Sequence, residues 1–396
     1  MTRHPHGPIV IAAGGTGGHL FPGQALAQEL RRRGRRIVLM TDDRMQGFDR
    51  LFPDADIYAV PSATPSGGGI VGLFRAALSI FAGVTRSYAI LLRVKPAALI
   101  GFGGYPTLPP VAAALLRGIP TCVHEQNAVL GRVNRLVAPH VHAIASTFDR
   151  PKFLKARDAG KLALTGNPVR DAVIGQACAP YDAPRGDGSI RLLVFGGSQG
   201  ARVLSEVVPA ALARLPEAMR RRLLVVQQCR VEDIDDVRTT YAGAGIAADL
   251  NSFFDDMAER IAAAHLVIGR SGASTISELG VIGRPSILVP LPQSLDNDQK
   301  ANAEKLAQTG AGWMIEQKDF TATALATRLE ALFTDPAGLE TAAGAARAQG
   351  QPNAVRELAD LVEALGRGEY RALRGRGRGR DARGGPAALL FAAGGA

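Results

Sequence analysis

The chain has 396 residues, of which 46% are hydrophobic and 21% charged; this composition is globular and excludes disordered or collagen-like chains. Its length predicts two or three domains. Cys122, Cys178 and Cys229 are too dispersed for a CxxC pair or a zinc site, so we expect reduced thiols. The net charge of +10 is uneven, with +12 on residues 1–170, −7 on residues 171–366 and +5 on the remaining tail. The front half is therefore expected to meet a polyanion, either nucleic acid or anionic lipid.

The first half of the chain alternates short apolar runs, glycine turns and helical stretches. Strands are predicted at Ile9–Ala13, Ile37–Met40, Ala97–Ile100, Thr121–His124 and Ala143–Ala145. The first strand is followed by a glycine turn at Gly14–Gly18 and by a helix over Pro22–Arg33, which ends at Gly34.

The second half opens in the same way, with a strand at Arg191–Phe195, a glycine turn at Gly196–Gly200 and a helix over Ala201–Leu215. Further strands are predicted at Leu223–Gln227, Leu266–Ile268 and Ser286–Val289. Strands that alternate with helices form parallel sheets with helices on both faces. The sequence therefore predicts an α/β protein with two doubly wound, Rossmann-like domains.

The boundary between these domains is predicted near Asn167–Arg170, which gives a first domain of residues 1–170 and a second of residues 171–353. Residues 354–366 have the pattern of an amphipathic helix. The tail, residues 367–396, consists of Arg-Gly repeats and an Ala/Gly/Leu run without a core-forming pattern, and we expect it to be disordered.

Both glycine turns lie between a strand and a helix, where backbone N–H groups and the helix N-terminus favour an anion. The first turn is also compatible with a plain tight turn or a dinucleotide loop, because Asp42 and Asp43 follow the second strand; the GxGxxG register, however, fails at Leu20. The second turn is not a Walker A loop, since Ala201-Arg202 stands in place of Lys-Ser/Thr. Two such turns at the carboxyl ends of strands indicate a ligand between the domains.

Two further polar segments follow strands of the second half. Gly269–Glu278 combines small residues with a carboxylate that can accept both hydroxyls of a ribose, although a capped helix with an acidic first turn has the same pattern. Asp296–Gln299 offers polar groups for sugar hydroxyls, and a solvated loop has the same composition.

These segments are specific in combination. The chain carries, in order, GGTGGHLFP at 14–22, GFGGYP at 101–106, HEQN at 124–127, GNPVR at 166–170, GGSQGAR at 196–202, FFDDM at 253–257, RSGASTISE at 270–278 and DNDQKANA at 296–303. With these motifs the chain resembles the MurG family, the UDP-N-acetylglucosamine transferases of peptidoglycan synthesis. The resemblance extends from about residue 8 to residue 366 and leaves out the tail.

The resemblance implies the GT-B fold, in which two Rossmann-like domains face each other across a cleft and a last helix, here 354–366, returns to the first domain. It also implies an inverting enzyme that moves N-acetylglucosamine from UDP-N-acetylglucosamine to the 4-hydroxyl of the muramoyl sugar of undecaprenyl-pyrophosphoryl-MurNAc-pentapeptide. No cofactor is expected.

By the same resemblance, the second domain would hold the UDP-sugar, with Ser198 and Arg170 at the diphosphate and Glu278 at the ribose. The backbone of Phe254 would contact the uracil, at a position where the family usually has a smaller aliphatic residue. The other substrate contacts that the resemblance implies are Ala273, Ser274, Thr275 and Gln299 on the donor side, and Thr16, Gly17, Gly18 and Asn127 in the first domain.

The reaction needs a base near the acceptor hydroxyl and positive potential near the leaving diphosphate. His19, at the tip of the first glycine turn, is the first candidate for the base, and a helix-capping or oriented histidine is the alternative. Glu125 is the second candidate, and it could equally be a loop residue after a strand. The adjacent pairs Asp42-Asp43 and Asp255-Asp256 are interpreted as solvated turns, so metal-independent transfer is predicted.

The segment Ile70–Arg93 has the pattern of a basic amphipathic helix. Arginines fall on one face and apolar residues opposite: Arg75, Arg86 and Arg93 against Leu73, Val84, Tyr88 and Leu91. A core-packed helix with a charged outer face has the same pattern. Together with the +12 of the first domain, it predicts peripheral attachment to anionic lipid at the cytoplasmic face of the bacterial inner membrane.

Two other functions fit parts of this pattern. Another GT-B enzyme acting on UDP-N-acetylglucosamine, such as a 2-epimerase or a glycolipid synthase, would share the donor site, and an epimerase would need no lipid acceptor. A non-catalytic nucleotide-sugar-binding protein could use the basic half to dock on RNA or membrane. The aromatic content of 5% and the lack of an RNA-binding motif argue against nucleic acid as a partner.

Overall fold

The structure is a computed structural model that describes residues 6–14, 17–42, 52–63, 69–197 and 200–369. In these residues the chain forms two parallel β-sheets, one of seven strands and one of six. Thr16, Ser198 and most of the predicted disordered tail, from residue 370 onward, lie outside the described residues.

The seven-stranded sheet comes from the first half of the chain. Its strands β1 to β7 span Ile9–Ala12, Ile37–Thr41, Asp56–Ala59, Ala98–Gly101, Thr121–Glu125, Ala143–Ser146 and Leu162–Leu164. The helices α1 to α4 span Gly17–Arg32, Gly69–Val94, Leu108–Leu116 and Arg132–Val137. The strand order is β3-β2-β1-β4-β5-β6-β7, so the chain starts in the middle of the sheet and winds outward in both directions.

The six-stranded sheet comes from the second half. Its strands β8 to β13 span Ile190–Phe195, Leu223–Gln228, Ala247–Asn251, Leu266–Gly269, Ser286–Leu288 and Gly312–Met314, in the order β10-β9-β8-β11-β12-β13. The helices α5 to α14 span Asp171–Gly175, Arg202–Leu212, Glu217–Arg220, Ile234–Gly243, Met257–Ala263, Ala273–Ile282, Asp298–Gln308, Ala322–Phe333, Pro336–Ala348 and Ala354–Arg367. Short 3-10 helices occupy Tyr105–Thr107, Ala156–Lys161, Val231–Asp233 and Leu295–Asn297.

The central strands are buried because helices cover both faces of each sheet. In β1, Ile9 and Ile11 pack into one core and Val10 into another, on the opposite face. A strand with two buried faces reads as a continuous apolar run. The prediction of two doubly wound α/β units is confirmed.

Two details differ from the sequence-based expectations. The strands β3, β7, β10 and β13 were not predicted, and each lies at an edge of its sheet. Helix α1 begins at Gly17 and contains Pro22, so His19 lies in the first turn of a helix and not at the tip of a loop. This start was missed because proline is most favoured at the first position of a helix.

The last helix, α14, packs against the first sheet after the chain has left the second. Leu358, Val362 and Leu365 are part of the core formed with β1 and α1. Arg33, next to the end of α1, donates to the carboxylates of Asp360 and Glu363 over 2.6 and 3.1 Å.

The two sheets meet through the loops at the carboxyl ends of their strands. The loop after β5 bonds to Asn302 of α11, and the loop after β7 bonds to α10 through Asn167 and Ser277, with 3.1 Å between Nδ2 and Oγ. Such an edge, where strands of parallel sheets end, is where ligands bind in doubly wound folds.

Candidate active site between the two sheets

The imidazole of His19 lies against a pair of glycines in the turn after β4. A Cβ built on Gly104 would lie 3.3 Å from Cδ2 of His19, and one on Gly103 would lie 3.4 Å from Cε1. The φ angle is 87° at Gly103 and 73° at Gly104, and residues other than glycine rarely adopt such positive values. The GFGGYP motif therefore brings glycine backbone close to the His19 ring.

The electrostatic surroundings of His19 favour its neutral form. Burial lowers the pKa of His19 below its ordinary value, while Gln126, the backbone of Phe102 and the carboxylate of Asp298 act in the opposite direction. Asp298 is the first residue of α11, a helix that packs on the second sheet, so this interaction spans the cleft. A neutral imidazole at pH 7 can accept a proton.

The lowered pKa of His19 predicts the acid limb of the pH profile. If His19 must be neutral to act, kcat/KM should fall with decreasing pH only below the ordinary histidine value of 6.5. The profile is measured at constant ionic strength. An acid limb with a midpoint above 6.5 would contradict this assignment.

Glu125, at the end of β5, accepts hydrogen bonds from the loop that follows it and from α4. Its carboxylate accepts N–H bonds from the backbone of Gly131 at 2.7 Å and Asn127 at 3.0 Å, and from Nδ2 of Asn134 at 2.9 Å. Burial raises the pKa of Glu125, and these donors oppose the rise. The geometry is that of a carboxylate that organises the HEQN loop.

A half-buried ion pair joins the segment before α5 to α10. Arg170 donates to Glu278 with 3.2 Å between Nη2 and Oε1, and its guanidinium lies 5.3 Å from the centroid of the Phe21 ring on α1. Burial raises the pKa of Glu278, and the charge of Arg170 opposes the rise. The pair places a carboxylate and a cation together at the junction of the two sheets.

Helix α10 presents its N-terminus at the carboxyl edge of the second sheet. Ala273, Ser274 and Thr275 form its first turn, directly after the extended Gly272. Within the described part of the chain, Oγ of Ser274 is buried without a hydrogen-bond partner. Free N–H groups in the first turn of a ten-residue helix and an uncommitted hydroxyl can together bind an anionic or hydroxylated ligand.

Two other predicted contacts have side chains committed within the protein. The ring of Phe254 is buried, with the guanidinium of Arg260 4.1 Å from its centroid, which leaves only its backbone for a ligand. Oε1 of Gln299 accepts from the backbone N–H of Leu291 at 3.1 Å, so its amide nitrogen remains for a sugar hydroxyl.

A close contact limits the side chain that fits at one glycine of each predicted anion turn. A Cβ on Gly196 would lie 2.4 Å from the backbone nitrogen of Ala201, and a Cβ on Gly17 would lie 2.9 Å from the Phe21 ring. Gly17 and Gly18 are in the first turn of α1. The predicted contacts Thr16 and Ser198 lie outside the described residues.

Asn302 was missed as a candidate, and Asp298 was noted only as one residue of the polar segment Asp296–Gln299, although both lie in the quoted DNDQKANA motif. Asn302 is fully buried and bonds to both sheets, and the charge of Asp298 acts on His19. The only signal in the sequence was their position within that motif. In the described ranges, no group of three or more His, Cys, Asp or Glu is arranged to hold a metal ion.

Two parallel sheets with a polar cleft between their carboxyl edges are the arrangement of the GT-B fold, to which many glycosyltransferases belong. Residues 9–146 match the model of the glycosyltransferase family 28 N-terminal domain, and residues 191–361 match that of the family 28 C-terminal domain. The chain belongs to glycosyltransferase family 28.

Relatives in this family share half of the sequence. The chain is 50% identical over 357 residues, 90% of its length and 96% of the relative, to a protein of Paramagnetospirillum magneticum named UDP-N-acetylglucosamine--N-acetylmuramyl-(pentapeptide) pyrophosphoryl-undecaprenol N-acetylglucosamine transferase. It is 51% identical over 359 residues, 90% of its length and 93% of the relative, to the protein of the same name from Granulibacter bethesdensis. The chain is therefore an N-acetylglucosaminyltransferase, and the predicted MurG resemblance is confirmed.

Solved structures show the same architecture. The crystal structure of Acinetobacter baumannii MurG matches 90% of this chain and 99% of its own, with a TM-score of 0.74 and 28% identity. The UDP-GlcNAc 2-epimerase of Neisseria meningitidis matches 89% of this chain and 98% of its own with a TM-score of 0.64, but at 15% identity it shares only the fold. The GT-B prediction is confirmed.

Proposed function

We propose that this chain transfers N-acetylglucosamine, with inversion, from UDP-N-acetylglucosamine to the 4-hydroxyl of the muramoyl sugar of undecaprenyl-pyrophosphoryl-MurNAc-pentapeptide. The observation that carries the proposal is the 50% identity, over 90% of the chain, to transferases named for this donor and this acceptor. The cleft supports it, because each chemical group that the reaction needs has a candidate on one of its walls.

An assay of UDP release with and without lipid acceptor tests this function. The enzyme should release UDP from UDP-N-acetylglucosamine only when a short-chain polyprenyl-pyrophosphoryl-MurNAc-pentapeptide is present, and a disaccharide lipid should form in equal amount. Conversion of UDP-N-acetylglucosamine without an acceptor would favour the epimerase alternative.

The donor is assigned to the second domain, residues 171–353. Glu278 binds the ribose hydroxyls, the backbone of Phe254 contacts the uracil, and Arg170 with Ser198 meets the diphosphate. Ala273, Ser274 and Thr275 lie against phosphate and sugar, because the N-terminus of α10 favours negative charge there. The amide of Gln299 binds a hydroxyl of the N-acetylglucosamine.

The acceptor is assigned to the first domain, residues 1–170 with the returning helix 354–366. His19 takes the proton from the attacking 4-hydroxyl, while Thr16, Gly17, Gly18 and Asn127 contact the substrates. Glu125 acts on the loop rather than on the substrate, because its oxygens already accept three N–H bonds. Helix N-termini and Arg170 stabilise the departing diphosphate, so transfer proceeds without a divalent cation.

Membrane attachment is assigned to the exposed face of α2. The structure divides the predicted apolar face: Leu91 is buried in the domain, whereas Leu73 and Tyr88 are exposed. The exposed apolar side chains of this helix are Leu73, Phe74, Leu78, Phe81, Tyr88 and Leu92, and Arg75, Arg86 and Arg93 are exposed beside them. Apolar residues flanked by cations are typical of a surface that enters the headgroup region of anionic lipid.

By length and composition, one helix within the described ranges, Gly72–Val94, is apolar enough to cross a bilayer, and 17% of its tested window is buried. Close packing on its inner face supports the peripheral alternative: a Cβ on Gly83 would lie 2.1 Å from the carbonyl oxygen of Pro61. We therefore place the protein peripherally on the cytoplasmic face of the inner membrane.

Introducing charge on this face should weaken membrane binding. Phe74 and Phe81 are 64% and 68% exposed, and burying a phenylalanine in an apolar phase contributes about 1.5–3 kcal/mol. The double change Phe74→Asp and Phe81→Asp should lower co-sedimentation with anionic vesicles at least about tenfold.

The matched control for this change is Val231→Asp, at a 73% exposed position on the second domain. This variant should co-sediment like the unaltered protein. Equal vesicle binding by all three proteins would contradict the assignment of the α2 face.

A further inference from the structure

Asn302 connects the two walls of the cleft through a fully buried side chain on α11. Its Oδ1 accepts from the backbone N–H of Ala128 at 2.8 Å, in the loop after β5 of the first sheet. Its Nδ2 donates to the carbonyl of Ser271 at 3.1 Å, in the second sheet, and to Oδ1 of Asn127 at 3.0 Å. Both hydrogens of the amide are therefore used.

These partners fix the direction of the amide of Asn302. A backbone N–H only donates and a carbonyl only accepts, so Ala128 and Ser271 determine which end of the amide is Oδ1 and which is Nδ2. Asn127 must then present its own Oδ1 to Asn302. Its Nδ2 has one long contact within the protein, 3.5 Å to Oε1 of Glu125, and so keeps a hydrogen for a sugar hydroxyl.

The same network reaches the donor side of the cleft. The hydroxyl of Ser271 donates to the backbone carbonyl of Gln299 at 2.8 Å. Next to Asn302, Ala301 of α11 packs with Ala128 and Val129 of the first sheet in a small apolar cluster that excludes water. A buried hydrogen-bond network in such surroundings specifies a single arrangement of its members.

We propose that Asn302 is a positioning residue: its hydrogen bonds hold the two domains together and orient the amide donor of Asn127 toward the sugar. The inference rests on the proposed function, since it assumes that Asn127 contacts substrate. It assigns to Asn302 no contact with either substrate. Its effect on transfer passes through Asn127.

A double-mutant cycle tests this coupling. Asn302→Ala and Asn127→Ala should each lower kcat by about tenfold to a hundredfold, the range for losing one buried hydrogen-bond partner. The double variant should fall no more than about threefold below Asn127→Ala alone. The Kd of UDP should change less than about threefold in Asn302→Ala, because the proposed uridine diphosphate contacts do not include this residue. Multiplicative losses in the double variant would overturn the proposal.

Two further variants separate positioning from general destabilisation. Lys152→Ala removes an exposed 3.4 Å ion pair at the same interface, with Glu304 on the helix that carries Asn302, and should leave kcat unchanged. Asn302→Asp keeps the shape of the side chain but replaces its NH₂ group by a carboxylate oxygen that faces the Ser271 carbonyl. This variant replaces Asn302→Ala in the test if the alanine variant does not fold. It should lower kcat at unchanged UDP affinity; full activity would overturn the proposal.

Hydrogen exchange provides a readout that does not depend on catalysis. The Ala128 amide should be protected in the unaltered protein and should exchange at least about tenfold faster in Asn302→Ala, with protection in the core strand β4 unchanged. Equal exchange rates of the Ala128 amide in both proteins would overturn the proposed role of Asn302 in holding the domains together. A protein with the protected amide but no lipid-dependent UDP release would instead contradict the proposed function.

Discussion

Replacing His19 by alanine is expected to lower kcat by about 10²- to 10⁴-fold, the usual contribution of general-base catalysis. The Kd of UDP should remain within about threefold, because the uridine diphosphate contacts are assigned to the second domain. The lowered pKa of His19 keeps its imidazole neutral, as a base at pH 7 requires. Single-turnover kinetics with lipid acceptor and calorimetry with UDP measure the two quantities.

Glu125→Gln distinguishes the two candidates for the base. An amide nitrogen in place of one carboxylate oxygen would face either the N–H of Asn127 or the N–H donors of Gly131 and Asn134, so we expect a loss of about 1–3 kcal/mol in the free energy of unfolding. A variant that keeps its stability but loses transfer as completely as His19→Ala would make Glu125 the base. Loss of UDP binding in His19→Ala would reassign His19 to structure.

Replacing Glu278 by alanine is expected to raise the Kd of UDP by about tenfold to a hundredfold. A site built to bind a hydroxyl discriminates strongly against an analogue that lacks it, because its polar groups remain unpaired. The unaltered protein should therefore bind UDP more tightly than 2′-deoxy-UDP, and this preference should disappear in Glu278→Ala. Calorimetry with both nucleotides measures it.

Glu278→Ala also leaves Arg170 without its ion-pair partner, so the contribution of Arg170 to UDP binding is measured with a separate variant. Arg170→Gln should weaken UDP binding but keep the preference for the 2′-hydroxyl. Glu340→Ala, which removes an exposed ion pair with Arg185 on the same domain, serves as the control and should change neither quantity. A preference retained in Glu278→Ala would place the ribose elsewhere.

The fold could be predicted from the sequence where strands are central and not where they are at an edge. β1 and β11 are apolar throughout because both their faces are covered. β10, in contrast, is exposed at four of its five residues and carries Asp249 and Asn251, so it lacks the apolar run of a buried strand. Pairing with a neighbour, which a local pattern does not contain, makes this segment a strand.

For the site, the sequence indicated the glycine turns and polar motifs but not which groups are already engaged. Glu125 looked free to act as a base, and only folding shows three N–H donors on its carboxylate. Asn302 looked like one residue of a polar motif, yet two of its partners lie some 175 positions away along the chain. Such contacts are set by how the two sheets meet, which no spacing in the sequence encodes.

The amphipathic segment of α2 shows the same limit. Helical periodicity placed Leu73 and Leu91 on one apolar face, but the helix packs with Leu91 inward and leaves Leu73 exposed. The helix approaches the carbonyl of Pro61 closely at Gly83, so its buried face is decided by that close contact rather than by polarity alone.

A crystal structure with UDP-N-acetylglucosamine tests most directly the claim that the cleft joins a donor wall to a catalytic wall. We expect the ribose hydroxyls within hydrogen-bond distance of Glu278 and the sugar between Gln299 and Asn127, with its anomeric carbon open toward His19. Nucleotide bound at the first sheet, or a sugar directed away from His19, would contradict the account.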